Sequence, residues 1–232
     1  MSLLDDLTNE TIKIFDFQNK WDVTSGRVVP EPPTVGFDNK ATELENAVVL
    51  YADLSGSTQM VDKKNWWFSA EVYKSFLHCA AKIIKSENGS ITAYDGDRVM
   101  AVFLGDNNCD RATRCGLKIN YAVKMIITPT ILALWPNEAQ ILHTVGIDKS
   151  TLRAARTGVR GDNDLVWIGR SANYAAKLTT LSKDYATRVT KAVYDSLCDS
   201  LKTNNGNAMW EERSWSDMNK MTIYRSSWTW KP

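Results

Sequence analysis

Histidine is scarce in this 232-residue chain: only two are present, His78 and His143. That leaves little room for a histidine-ligated metal or a histidine general base. His78 falls on an expected helix and His143 alternates within an expected strand, so neither is assigned a catalytic role. Cysteine is limited to Cys79, Cys109, Cys115 and Cys198, without the paired short spacings of a zinc site. The N-terminus MSLLDDLTNE has no basic stretch leading into an apolar one, so no secretory leader is expected. Scattered thiols without a leader suggest a reducing cytoplasm. An excess of one charge is also missing. Lys plus Arg is 28 against 27 for Asp plus Glu, a net charge of +1, which disfavours bulk nucleic-acid binding as the main task. No apolar run reaches the roughly 18 residues of a membrane span. The expected partners therefore include neither nucleic acid nor membrane.

What is present suits one large globular domain. Apolar residues make up 44% of the chain and charged residues 24%, enough for a substantial core and ordinary for a soluble protein. Nine tryptophans are read first as bulky core and interface side chains. Residues 1–20 pattern as an amphipathic helix, with Leu3, Leu4, Leu7, Ile12, Ile14, Phe15 and Phe17 among acids. Such a helix needs a surface for its apolar stripe, for which a second subunit is one candidate. The stretch SGRVVPEPPTVGF holds three of the six prolines and reads as a linker or extended arm. The expected division is an N-terminal arm over 1–45 and a compact domain over 46–232.

Within the domain, Ala47–Ala52 reads as a buried strand and 67–85 as a helix, with Phe68, Val72, Phe76, Cys79 and Ile83 at helical spacing and Asn88-Gly89 as its stop. Strands at Ser90–Tyr94 and Val99–Leu104 flank the tight-turn sequence Asp95-Gly96-Asp97-Arg98. A second helix follows at 109–127, ahead of Pro129, then strands at Ile141–Ile147 and Asp164–Ile168 and a helix at Ser171–Leu181. Thr187–Thr190, a helix near 191–202 and a strand at Met221–Trp228 complete the chain. The order gives an α+β fold: a ferredoxin-like βαββαβ unit with additional C-terminal elements, its antiparallel sheet carrying helices on one face.

Two acidic turns stand out. Asp53 closes a buried strand, and Asp97 lies in a hairpin that such a sheet places beside that strand. Taken singly, each is an ordinary cap or turn residue. Two carboxylates without a histidine suit a hard cation, Mg²⁺ or Mn²⁺, better than zinc. Ser55-Gly56-Ser57-Thr58 follows Asp53 and opens a helix, where small residues let backbone N–H groups face phosphate. A third segment, WIGRSANYAAKL, puts Asn173 and Lys177 four apart on one helix face. An amide and a cation so placed suit a ribose and an α-phosphate.

Together YADLSGST, YDGDRVMAVF and WIGRSANYAAKL resemble the three signature segments of the class III nucleotidyl cyclases, over roughly residues 46–228. The resemblance implies a head-to-tail homodimer with two interfacial active sites. One protomer would supply the metal ligands Asp53 and Asp97 and the Leu54 carbonyl, for two divalent ions. The other would supply Asn173 for the ribose and Lys177 for the transition state, where the family usually carries arginine. Lysine keeps the charge and loses the planar fork. Arg160 and Lys220 lie near the family's positions for triphosphate-binding cations, alongside the backbone of Ser55, Gly56, Ser57 and Thr58.

The base pocket departs from the purine pattern. Adenylate cyclases carry a lysine where this chain has Ala93, and an Asp or Thr where it has Val166; the Glu and Cys of guanylate cyclases are absent too. Tyr51 lies two residues before Asp53 and so shares its side of the strand. With Asp95 and Arg98 nearby, a phenol there narrows a purine pocket. A class III cyclase without purine readers resembles the bacterial pyrimidine cyclases of the Pycsar antiphage systems. That implies UTP as substrate, with CTP as the alternative, and a cyclic nucleotide product read by a separate effector. The rival readings are a purine-specific cyclase with an unusual pocket, a degenerate cyclase fold that only binds nucleotide, and an actin-like or sugar-kinase-like ATPase suggested by DLSGST. The expected helix at 67–85 and the chain length argue against the last.

Overall fold

The computed structural model describes residues 2–15, 20–138 and 140–232. Its elements are α1 (Leu3–Phe15), β1 (Asp22–Ser25), β2 (Lys40–Ser55), α2 (Ser57–Lys63), α3 (Trp66–Ser86), β3 (Ser90–Asp95), β4 (Arg98–Phe103), α4 (Asn108–Ala122), α5 (Thr128–Leu134), β5 (Leu142–Val159), β6 (Asp162–Ile168), α6 (Arg170–Thr179), β7 (Thr187–Thr190), α7 (Lys191–Tyr194), β8 (Thr203–Asn204), β9 (Asn207–Ala208), β10 (Glu211–Trp215) and β11 (Met221–Ser226). The main sheet runs β10-β11-β7-β5-β2-β4-β3, with β1 added on β2 and β6 on β5. Its middle, β5-β2-β4-β3, is antiparallel and is built from the expected βαββαβ unit β2-α3-β3-β4-α4-β5.

Alternation along β2 divides the molecule into two layers. Val48, Leu50, Ala52 and Leu54 pack with Phe68, Val72 and Phe76 of α3 and Cys115 and Ile119 of α4 in the main core. Ala47 and Val49 face the other way, with Met100, Val102, Ala172 and Ala175. The two helices of the βαββαβ unit thus share one face, and α6, from the C-terminal additions, covers the opposite one. Gly146 makes that second contact possible: a Cβ there would sit 2.1 Å from the Ala175 carbonyl oxygen, so only glycine lets α6 lie this close to β5.

Several elements differ from expectation for identifiable reasons. The first strand starts at Lys40, ahead of the expected start of the domain at residue 46, because β1 pairs in parallel with Lys40–Glu43. A register shift between Leu44 and Ala47 hides the continuity. The fourth strand of the unit runs on from Ile147 to Val159, and its far half forms a hairpin with β6 rich in exposed polar residues. The second helix does not stop before Pro129. A π-turn over Val123–Ile127 leads directly into α5, which carries Pro129 in its first turn; the wide turn absorbs the missing proline N–H. The helix expected near 191–202 is only Lys191–Tyr194 plus a 3₁₀ turn at Asp199–Leu201. The chain breaks at Cys198, whose N–H donates to the buried Asp110 carboxylate at 3.0 Å. The last strand ends at Ser226, since Asn120 Nδ2 donates to the carbonyls of Ser227 and Trp228 at 2.9 and 2.8 Å.

The N-terminal helix spans Leu3–Phe15, and its stripe is bare, with Leu3 73% and Phe15 80% exposed. Phe17, also assigned to that helix from sequence, lies outside the described residues. Asn108–Leu134 is long and apolar enough by length and composition to cross a membrane. Much of it is core: Cys115, Ile119, Ala122, Val123 and Ile127 are all buried there.

Candidate active site

The carboxylate half of the site is assembled by β2 and the β3–β4 hairpin. Asp53 lies opposite Arg98 across the ladder. The hairpin turns through two residues, with positive φ only at Gly96 (φ 60), a conformation glycine adopts without strain. The turn presents Asp97 beside Asp53. Burial, and then the Asp97 carboxylate, push the Asp53 carboxyl up to about 6, against the opposing pull of Arg98. One Asp97 oxygen, Oδ2, is buried with no hydrogen-bond partner among the described residues. Crowded carboxylates with an unsatisfied oxygen are destabilising unless something positive sits between them.

A hard divalent cation fits this donor set. Asp53 and Asp97 are the side-chain ligands available, with the carbonyl of buried Leu54 next in the chain. Among the described residues no group of three or more His, Cys, Asp and Glu is placed to hold a metal. Two carboxylates are what Mg²⁺ commonly takes when substrate phosphates complete its shell.

The adjoining loop has a compatible shape. Ser55 ends β2, Gly56 is left-handed at φ 79, and Ser57 and Thr58 open the short α2. Tyr73 of α3, overlooked in the sequence, reaches the loop: its hydroxyl donates to the Ser57 carbonyl at 3.5 Å. Burial and the nearby Asp97 raise its phenol pKa. In the sequence Tyr73 is one more aromatic on a helix packed with them.

Tyr51, Ala93, Asp95 and Arg98 come together on the Asp53 side of the sheet. Tyr51 and Ala93 both border the cluster containing Met100. The Arg98 guanidinium lies 5.7 Å from the Tyr51 ring centroid and donates to Asp95 at 2.7 Å. A bulge at Thr92 turns Ala93 to this face while Ile91 joins the opposite core.

Among the described residues no hydrogen bond or ion pair joins the remaining candidates to Asp53 or Asp97. Asn173 and Lys177 are exposed on α6. The Asn173 side chain makes no hydrogen bond among the described residues, and Lys177 Nζ lies 3.8 Å from Met218 Sδ. Val166 is exposed on β6, Arg160 at the β5–β6 turn, and Lys220 (φ 58) in the turn before β11. Neither of two cavities, of about 320 and about 350 Å³, is lined by Asp53 or Asp97.

The chain is 53% identical over 99% of its length, and 99% of the relative's, to a uridylate cyclase of Burkholderia cepacia. It is 48% identical to one of Xanthomonas perforans, over all of this chain and 99% of that one. The chain belongs to the uridylate cyclases. No protein-family model matches it. Among solved structures, the fold resembles a bacterial light-regulated adenylyl cyclase (TM-score 0.68, 19% identity, 84% of this chain and 54% of that one). The guanylyl cyclase Cya2 aligns with TM-score 0.66 at 16% identity, over 83% of this chain and 95% of that one. The class III cyclase resemblance of the three motifs therefore holds for the whole fold, and the protein is a nucleotidyl cyclase, a phosphorus–oxygen lyase.

The sequence of this cyclase also hid the anchoring of α6. Arg170, in its first turn, donates to fully buried Asp148 through Nε at 3.0 Å and Nη2 at 3.3 Å, and to the Lys149 carbonyl at 2.6 Å. Thr190 Oγ1 donates to the same carboxylate. At the other end of the helix, Thr144, opposite Asp53 in the ladder, donates to the Thr179 carbonyl at 2.7 Å. The helix bearing Asn173 and Lys177 is thus tied at both ends to β5, the strand beside Asp53.

Proposed function

We infer that this cyclase converts UTP to 3′,5′-cyclic UMP and pyrophosphate, at two sites shared between the protomers of a homodimer. The observation that carries the substrate reading is Tyr51, held on the Asp53 face under Arg98, with Ala93 and Val166 where purine readers would stand. The similarity to uridylate cyclases supports it. The reading of a shared site rests on Asn173 and Lys177, which stand exposed and apart from the carboxylates.

In this reading Asn173 orients the ribose and Lys177 neutralises charge at the α-phosphate, both from the second protomer. Backbone N–H groups over Ser55–Thr58 take the β- and γ-phosphates, with Arg160 and Lys220 as further cations. Two divalent ions, Mg²⁺ or Mn²⁺, held by Asp53, Asp97 and the Leu54 carbonyl, supply charge neutralisation and a more acidic 3′-hydroxyl. The 3′ oxygen bonds to the α-phosphorus as that phosphorus parts from the α–β bridging oxygen. Pyrophosphate leaves with the electron pair, and the hydroxyl proton passes to solvent. Catalysis is positioning plus electrostatics, as in other phosphoryl transfers. The product is a second messenger for a separate effector in antiphage defence, as the Pycsar resemblance suggests.

The test is incubation of the purified protein with Mn²⁺ and each of the four nucleoside triphosphates. Cyclic UMP is expected as the main product, with cyclic CMP marking the cytidylate alternative. Cyclic AMP or cyclic GMP as the main product overturns the pocket reading.

A further inference from the structure

The loop between α6 and β7 carries a cation that the motifs do not contain. Lys183 Nζ lies 3.4 Å from where a Cβ on Gly56 would stand. The ammonium therefore rests over the left-handed glycine of the loop that follows Asp53. Lys183 makes no ion pair or hydrogen bond among the described residues. Its neighbour Asp184 accepts from the Ser182 hydroxyl at 3.2 Å.

The loop itself is held by a buried arginine. Arg188 is 1% exposed and forms no salt bridge among the described residues. Its guanidinium donates instead to the Tyr185 carbonyl at 2.8 Å and to the Ser182 carbonyl. These two acceptors bracket Lys183 and Asp184. Arg225 stacks on the Tyr185 ring at 3.9 Å and donates to Glu211 at 2.9 Å. Burying a guanidinium is costly unless its donors are satisfied. Here they are spent on fixing the backbone of a four-residue loop, and what that loop delivers is an ammonium at Gly56.

We propose that Lys183 binds the pyrophosphate end of the substrate from the same protomer that supplies Asp53 and Asp97, and that Arg188 is its positioning residue. This rests on the cyclase reading above and adds a cation in cis to those offered by a second protomer. As the bond from the α-phosphorus to the bridging oxygen breaks, negative charge grows on the departing pyrophosphate. A preplaced ammonium lowers the cost of that charge.

The probe is inorganic pyrophosphate with Mg²⁺, whose binding is measured by calorimetry on the full chain, alongside UTP kinetics. Lys183 is exposed, so Lys183→Ala and Lys183→Glu should fold normally, which circular dichroism and thermal melting verify. Loss of a charge-assisted contact predicts about tenfold or more weaker pyrophosphate binding and a matching rise in KM for Lys183→Ala. Lys183→Glu should weaken both further, and Lys183→Arg should retain most of the affinity. Arg188→Lys keeps the charge and loses the fork; it should move pyrophosphate affinity in the same direction, and Lys183→Ala should add little to it. Pyrophosphate affinity and KM within twofold of wild type in folded Lys183→Glu overturn the proposal. A wild-type enzyme that cyclises a different nucleotide removes the uridine reading, and the pyrophosphate titration still decides Lys183.

Discussion

The two halves of the site are built in opposite ways. Asp53 and Asp97 are half-buried, press on one another and leave an oxygen unsatisfied. Asn173 and Lys177 stand in solvent on a helix whose two ends are anchored to β5. The first half carries electrostatic strain that the proposed cation would relieve. The second is strain-free and preoriented, and gains function from whatever docks against it. In the proposed shared site such a division would make activity depend on assembly, because each site would draw one half from each protomer.

The largest effect that sharpens this contrast is at Asp97. Asp97→Ala should lower turnover by about 10³-fold or more, since several kcal/mol of charge stabilisation are lost and each 1.36 kcal/mol is tenfold. Without metal, the same change should leave the melting temperature equal or higher, because it removes a repulsion with Asp53 and a buried unpaired oxygen. Near-native activity removes Asp97 from the cation site. A large fall in melting temperature shows instead that the carboxylate supports the fold.

The helix half should respond differently. Lys177→Ala should cost about 10²- to 10³-fold in turnover, the usual loss when one donor to developing charge is removed. Its melting temperature should not change, because the ammonium has no partner beyond Met218 among the described residues. Mixing separates the halves directly. An Asp53→Ala protomer combined with an Asn173→Ala protomer should recover about a quarter of wild-type activity on random pairing, since half the dimers then hold one intact site. Verified heterodimers without recovered activity contradict a shared site.

The halves also differ in how far the sequence reveals them. The βαββαβ core is legible because Val48, Leu50 and Ala52 alternate, Phe68, Val72 and Phe76 recur at helical spacing, and Asp95-Gly96-Asp97-Arg98 permits only a tight turn. Asp53 and Asp97 are legible with it, as each closes a readable element. The run of β5 past Ile147 is not, although its partner β6 is expected at Asp164–Ile168, since the exposed face of the extension lacks an apolar alternation to mark it. The path through Pro129 is hidden because proline normally ends a helix and a π-turn leaves no sequence signal. Lys183 and Arg188 are invisible for a different reason. Arg188 sits in TRVT, an ordinary strand, and only the fold shows that its donors turn back onto the loop before it.

The smallest effect concerns stability behind the carboxylates, where His143 pairs in register with Leu54. Its imidazole is buried, 6.0 Å from the Phe76 ring, with Nε2 unpartnered among the described residues. Burial first, and then the Lys124 charge, lower its pKa from 6.5 to about 3. Unfolding returns the ring to water and to its ordinary pKa near 6.5. Between pH 6.5 and 3 the unfolded chain therefore holds the extra proton. His143 leaves stability intact above pH 6.5, and stability falls as the pH drops through that window. Linkage puts the loss between pH 7 and pH 5 at about 2 kcal/mol. His143→Phe keeps an aromatic ring beside Phe76 and removes the titrating group, so urea midpoints at the two pH values should lie closer together than in the wild type. An equal gap in both proteins means that the imidazole gains a proton without unfolding, and that the space behind Leu54 is wet. In that case the strand supporting Asp53 is less rigid than the contrast between the two halves requires.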